Sequence, residues 1–185
     1  MGFLIGAAVL IAGFGILTYN ALARLRLLAD NAWADIDVQL KRRHDLIPSL
    51  VAAVTGHAGY EKKTLEAVVE ARNRAAATHS PAASGAAEGV LAAQVRQIFA
   101  LAEAYPDLKA AGSFLALQKG LTEIEDAIQN ARRYYNAVVR DLNTKVAQFP
   151  ANLLAGPFGV RPREFFEIAD AGERAAPTLK LGSDS

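Results

Sequence analysis

The sequence contains no cysteine. Disulfides, thiolate nucleophiles, sulfur-bearing zinc sites and lipid attachment through an N-terminal cysteine are therefore excluded, while the compartment stays open. There is no excess of one charge either. The formal net charge is +1, so the strongly basic domain or stripe that nucleic acid needs is missing. Alternating β-branched runs are scarce, which leaves little from which to build a sheet. Alanine is abundant instead, and proline and glycine gather in a few places, as in long helices with punctuated joints. The expected fold class is all-α. Phosphate-loop and serine-hydrolase motifs are absent. No glutamate has a histidine three residues on, which removes the Glu-x-x-His pattern of di-iron bundles. No cofactor is expected.

What is present begins with a long apolar run. Residues 2–23, GFLIGAAVLIAGFGILTYNALA, carry no charged side chain, and about 20 apolar helical residues cross a bilayer core. Tyr19 suits the interface. Ala21-Leu22-Ala23 offers an A-x-A cleavage pattern. However, no basic n-region precedes it, the run exceeds a signal h-region, and the helical pattern continues straight through. A single uncleaved span over residues 1–24 is expected, with the bilayer contacted through residues 2–23. Arg24 and Arg26 follow the run directly. Lysine and arginine favour the cytoplasmic side, so the N-terminus should lie outside and the body in the cytoplasm.

Beyond the span, Leu22, Leu25, Ala29, Trp33, Ile36 and Leu40 recur at three-four spacing and make the anchor continuous with the first soluble helix. The same register continues through Arg43, Ile47, Leu50 and Val54. One arginine thus falls on the apolar seam, where a buried charge needs a partner such as Asp37 or Glu61. Pro48 inside a helix would cost about 3 kcal/mol, whereas in a first turn it costs little. Asp45 is well placed as N-cap. The stretch KRRHDLIPSL, residues 41–50, therefore reads as a joint or sharp kink between helices. A second helix is expected over about 49–78. A loop follows at 79–89, HSPAASGAAEG, and then a third helix up to Pro106.

The fourth helix carries the clearest pattern. Phe114, Leu117, Leu121, Ile124, Ile128, Ala131, Tyr135, Val138 and Leu142 alternate by three and four. It should run about 50 Å and stop before Pro150. Asn136 and Asn143 lie one heptad apart and suit a shared polar contact with a neighbouring element. Leu153, Leu154, Phe158, Phe165 and Phe166 should fold back onto the bundle. Residues 168–185 read as a disordered tail. Helices of this kind pack as an up-down four-helix bundle with long antiparallel helices.

AWADIDVQLKRRHDLIPSLV, YEKKTLEAVVEARNRA, FLALQKGLTEIEDAIQNARRYYNAVVRDLNTKVAQFPANLLA and RPREFFE follow one another in this order. Together they resemble the LemA family of bacterial membrane-anchored proteins over nearly the whole chain to Glu167. The resemblance implies a four-helix up-down bundle (residues 25–167) on one span of the bacterial cytoplasmic membrane, with the N-terminus outside. It implies no established activity, and some relatives are associated with magnetosome membranes. The departures are the Ala/Gly/Ser-rich stretch at 82–89 and the extra tail.

His44 with Asp45 could form an acid/base pair, and His57 with Glu61 has i, i+4 metal-like spacing but no third ligand. Glu123, Glu125 and Asp126 fit a solvated helix face better than a paired-carboxylate site. In a straight helix Arg43 lies about 28 Å beyond Arg24. A lipid surface potential fades within about 10 Å, so Lys41, Arg42 and Arg43 do not feel the anchoring membrane. Two functions stay in play. One is a non-enzymatic membrane scaffold with protein partners or self-association. The other is a membrane-tethered enzyme or ligand sensor using a polar cleft over residues 43–61. No nucleic-acid partner is expected.

Overall fold

The computed structural model describes residues 1–56 and 62–168. Among these residues all regular secondary structure is helical: α1 Gly2–Thr55, α2 Lys62–Ala76, α3 Pro81–Ala102, α4 Pro106–Ala110, α5 Gly112–Ala147 and α6 Ala151–Ala155. At 1.5 Å per residue α1 is about 80 Å long. It passes residue 24 without a break, so the apolar N-terminal run and the amphipathic stretch after it are one rod.

The expected division at HDLIP is corrected. Pro48 lies inside α1, which continues to Thr55. Asp45 is therefore an exposed mid-helix residue and caps nothing. The proline leaves the His44 carbonyl without its i+4 donor, and the guanidinium of Arg72 on α2 supplies one. Its Nε donates to that carbonyl at 3.3 Å. A partner 28 residues downstream, rather than a local cap, lets the helix run on. The second expected helix is accordingly split between the end of α1 and α2, with residues 57–61 outside the described residues.

The expected loop at 79–89 is corrected too. Ser80 caps α3, its Oγ accepting the Ala83 N–H at 3.3 Å, and Pro81 occupies the first turn. That is a favourable helix start, because neither residue sacrifices an intrahelical bond. The small residues then form a helix face, with Ser84, Gly85, Glu88, Gly89 and Ala92 all buried. PDLKAAGS, read as a connection, contains α4, which buries Leu108 completely.

The apolar interior forms two clusters. One joins α1 from Leu22 to Leu40 with α5 from Ile124 to Leu142, together with Ala155, Val160, Phe166 and Ile168. The other gathers Ile47, Leu50 and Val54 of α1, α2, α3, Leu108, and Phe114 and Leu121 of α5. Helices α1 and α5 are antiparallel. Trp33 meets Tyr135 with ring centroids 5.5 Å apart, and Arg43 reaches Glu125 farther along. The heptad stripe of α5 is borne out: its members are buried except Leu117 and Ala131, which are partly covered. Fully burying one such aliphatic side chain contributes about 1.5–3 kcal/mol.

Beside the first cluster, the chain after α6 does what α2 and α3 do beside the second. Residues 160–168 run as an extended strap along α1 and α5. Asn143 holds it by donating Nδ2–H to the Arg163 carbonyl (2.9 Å) and accepting the Arg163 N–H (2.8 Å). Asn136 repeats this at Phe166, with 3.0 and 2.9 Å. The expected shared contact of these two amides is thus present, and the reason for a heptad is plain: two turns of helix match three residues of extended chain. The Tyr135 hydroxyl donates to the Glu164 carbonyl at 2.9 Å. Burial raises its pKa above the ordinary tyrosine value, opposed by Arg163 and assisted by Glu164 and Asp30. Arg163 also pairs with Asp30 of α1.

Phe166 is fully buried against Trp33, whereas Leu153 and Phe165 are exposed, so only part of the expected fold-back enters the core. Ile168 is buried, which extends the folded part through a residue assigned to the tail. Residues 169–185 lie outside the described residues. Gly85 is where the strap's end meets α3. A Cβ there would overlap the Glu167 carbonyl oxygen and lie 2.8 Å from its carbonyl carbon. Gly85→Ala should therefore lower stability by about 1–3 kcal/mol, as overpacking does. It should also speed tryptic cleavage after Arg163, since Pro162 protects the bond after Arg161. Unchanged cleavage and melting of the detergent-solubilised chain would show that the strap does not seat on α3.

Candidate functional site

Between the two apolar clusters lies one polar layer. Arg43 occupies the α1 seam position between Leu40 and Ile47, and Glu125 lies beside the α5 stripe between Leu121 and Ile128. Arg43 Nη2 donates to Glu125 Oε2 at 2.6 Å. Its Nη1 lies 3.4 Å from Glu88 Oε2 on α3. The other oxygen of Glu88, Oε1, is 2.5 Å from His44 Nε2. The two Glu88 oxygens thus divide between Arg43 and His44. Gln129 donates to Glu125 Oε1 at 2.9 Å. The layer thus ties α1 to α3 and α5, and the neighbouring His44 carbonyl ties α1 to α2.

Burial grades these contacts. Glu88 exposes 0%, Arg43 5% and His44 8% of its surface. Charges so far from water persist only when paired and hydrogen-bonded. Glu125 keeps 34% of its side chain exposed, so solvent screens its pairing and its contribution is smaller.

The predicted site residues separate. Arg43 and His44 come together, but with Glu88 and Glu125 rather than with Asp45. Asp37 is exposed and is not the partner of Arg43. Asp45 faces outward, lining with Gln39, Arg42 and Glu123 a shallow groove of about 400 Å³ between α1 and α5. Pro48 lies beside Arg72 in a separate apolar groove of about 300 Å³. His57 and Glu61 lie outside the described residues, so their expected pairing has no geometry. Glu125, assigned from sequence to a solvated face, instead holds the seam arginine. Tyr19 makes an edge-on contact with Phe158, centroids 5.0 Å apart, and Arg24 and Arg26 are exposed.

Glu88 is what sequence reasoning missed. It lies in the stretch read as a loop, yet the signal existed. Ser80-Pro81 is a helix start, and Gly85, Glu88, Leu91, Ala92, Val95 and Ile98 continue one face at three-four spacing. A lone acid on that face is the complement of a lone arginine on the face of α1.

Fold and layer together define a helical protein whose charged cluster is turned inward and whose N-terminal helix is long and apolar enough to cross a membrane. The LemA family model matches residues 32–181, and the chain belongs to that family. Its relatives include the magnetosome protein MamQ 2 of Paramagnetospirillum magneticum, 28% identical over 95 residues, which are 51% of this chain and 35% of that protein. MamQ of Magnetospirillum gryphiswaldense is 23% identical over 192 residues, covering 90% of this chain and 71% of its own. Protein LemA of Metamycoplasma hominis is 26% identical over 166 residues, covering 88% and 74%. This chain thus spans about a third of the length of the first of these.

Two measurements probe the layer. Glu88→Ala leaves a buried guanidinium half-paired and should cost about 3–5 kcal/mol, whereas the apolar double replacement Arg43→Met with Glu88→Leu should recover most of that loss. Glu125→Ala should cost less, about 1 kcal/mol, because water reaches that carboxylate. Chemical denaturation of the solubilised chain reads all three. Separately, Arg72→Met should cost about 1 kcal/mol by orphaning the His44 carbonyl. In a Pro48→Ala background residue 48 regains its own N–H, and a double-mutant cycle should show that cost shrinking. An undiminished cost would mean that Arg72 acts elsewhere.

Proposed function

We propose that this chain is a non-enzymatic, membrane-anchored helical scaffold that organises protein partners, or further copies of itself, at the bacterial membrane. Residues 2–23 form its single span, with the N-terminus outside and an up-down four-helix body in the cytoplasm. One contrast carries this reading. The most chemically capable side chains, Arg43, His44 and Glu88, face one another in a closed interior. Meanwhile Phe3, Leu4, Ile5, Val9, Leu10, Ile11, Ile16 and Leu17 project from α1 with most of their surface uncovered. A rod that exposes this much hydrocarbon needs a bilayer around it. The relatives named as magnetosome proteins are in keeping with work at a membrane.

The alternative, a membrane-tethered enzyme or sensor with a polar cleft over residues 43–61, draws no support from Arg43 and His44. Both are committed to Glu88 and Glu125 and are closed off from solvent. Orientation rests on Arg24 and Arg26 directly after the apolar run.

The reading is tested in inverted and right-side-out membrane vesicles at native expression. The C-terminal region should be digested only where the cytoplasmic face is exposed. Crosslinking should then convert the chain into discrete dimers or complexes of defined stoichiometry. A chain that stays strictly monomeric, with no partner crosslinked in stoichiometric amount, would remove the scaffold reading.

A further inference from the structure

The corner after α5 presents large apolar side chains to the outside. Phe149 exposes 78% of its surface and Leu153 63%. Its neighbours Ala151 and Ala155 are buried, so the corner is seated on the helices rather than loose. Nothing within the described residues covers those two side chains.

The height of the corner on α1 is what gives them meaning. Phe158 meets Tyr19 edge-on, and Ala155 and Val160 share a cluster with Leu22. Thr18 is already buried. The corner therefore overlaps the last six residues, 18–23, of the charge-free run, about 9 Å of helix axis. That run is about 33 Å long in all, against about 30 Å for a bilayer's hydrocarbon core. The end of the span and the corner consequently share one level, which is headgroup depth.

Cations dominate at this level. No aspartate or glutamate occurs from Leu142 to Arg161 or from Leu17 to Ala29, whereas Arg24, Arg26, Lys145 and Arg161 fall in those stretches; Asp30, one residue further along α1, is neutralised by Arg163. Apolar side chains ringed by cations suit an anionic phospholipid surface: hydrocarbon enters the acyl boundary while arginine and lysine meet phosphate.

We infer that the corner formed by Phe149, Pro150 and α6 is a second membrane-contacting element, a foot that inserts Phe149 and Leu153 into the interfacial layer of an anionic bilayer beside the N-terminal span. The inference rests on residues 2–23 spanning that bilayer. With two points of attachment the rod is held upright and its rotation about the span is fixed, so its outer faces are presented in a defined direction.

The absence of cysteine makes the test direct, since each introduced thiol is unique. Leu10→Cys, Leu153→Cys and Ser49→Cys of the full chain are labelled with an environment-sensitive fluorophore. They are then reconstituted into phosphatidylcholine/phosphatidylglycerol vesicles containing nitroxide-bearing lipids. Leu10 reports the span, and Ser49 reports the exposed far end of α1. The label at 153 should be quenched roughly twofold or more by nitroxides at interfacial depth, and the label at 49 not at all. In Leu153→Cys carrying Phe149→Ser, quenching should fall as the corner lifts. Quenching at position 10 with none at 153 overturns the foot and leaves the span standing. No quenching at position 10 overturns both.

Discussion

A single arginine on an apolar seam sets the organisation of this molecule. Arg43 falls where the stripe of α1 would otherwise place another leucine, and a guanidinium in that position is stable only if acids reach it from elsewhere. They come from α3 and α5. Satisfying one side chain therefore specifies how three helices meet. The two apolar clusters on either side have no such selectivity, because hydrophobic contact is non-directional. A misregistered bundle would bury similar area and leave Arg43 unpaired.

Pro48 shows the same dependence on distant partners at the level of backbone. The proline removes a donor from the helix, and Arg72 of α2 replaces it. Arg43 and Pro48 lie on neighbouring turns of α1, so side-chain and main-chain demands are met together where α2, α3 and α5 converge. This accounts for Arg43, His44 and Pro48 within residues 41–50, whereas Lys41 and Arg42 lie on the exposed face of α1. The cluster is a fastening.

Toward the N-terminal end of α1 the construction changes. Two helices cannot enclose a core alone, and the strap at 160–168 supplies the missing wall, held by the paired amides of Asn136 and Asn143. The strap ends against Gly85 on the same α3 that carries Glu88. The polar layer and the strap are thereby linked through one helix, so positioning α3 serves both halves of the body.

Much of this was legible in local pattern. The long apolar N-terminal helix, the all-helical class and the stripe of α5 follow from runs and periodicities within a single segment, where burial imposes its period on the residues directly. The same holds for the placing of Arg43 on the seam and for the pairing capacity of Asn136 and Asn143. What local pattern could not decide was who answers whom. Glu88 sits 45 residues from Arg43 and Glu125 82 residues away; the helix face around Glu88 marks it as a buried acid, but not as the partner of Arg43. The same is true of Arg72 and the His44 carbonyl, which is why residues 41–50 read as a break although the helix continues. Sequence by itself determined the all-helical class and the buried stripes of α1 and α5, because those are properties of each segment's own pattern. Only tertiary structure decided that the charge, the missing hydrogen bond and the open core could each be satisfied, because every satisfying group arrives from another part of the chain.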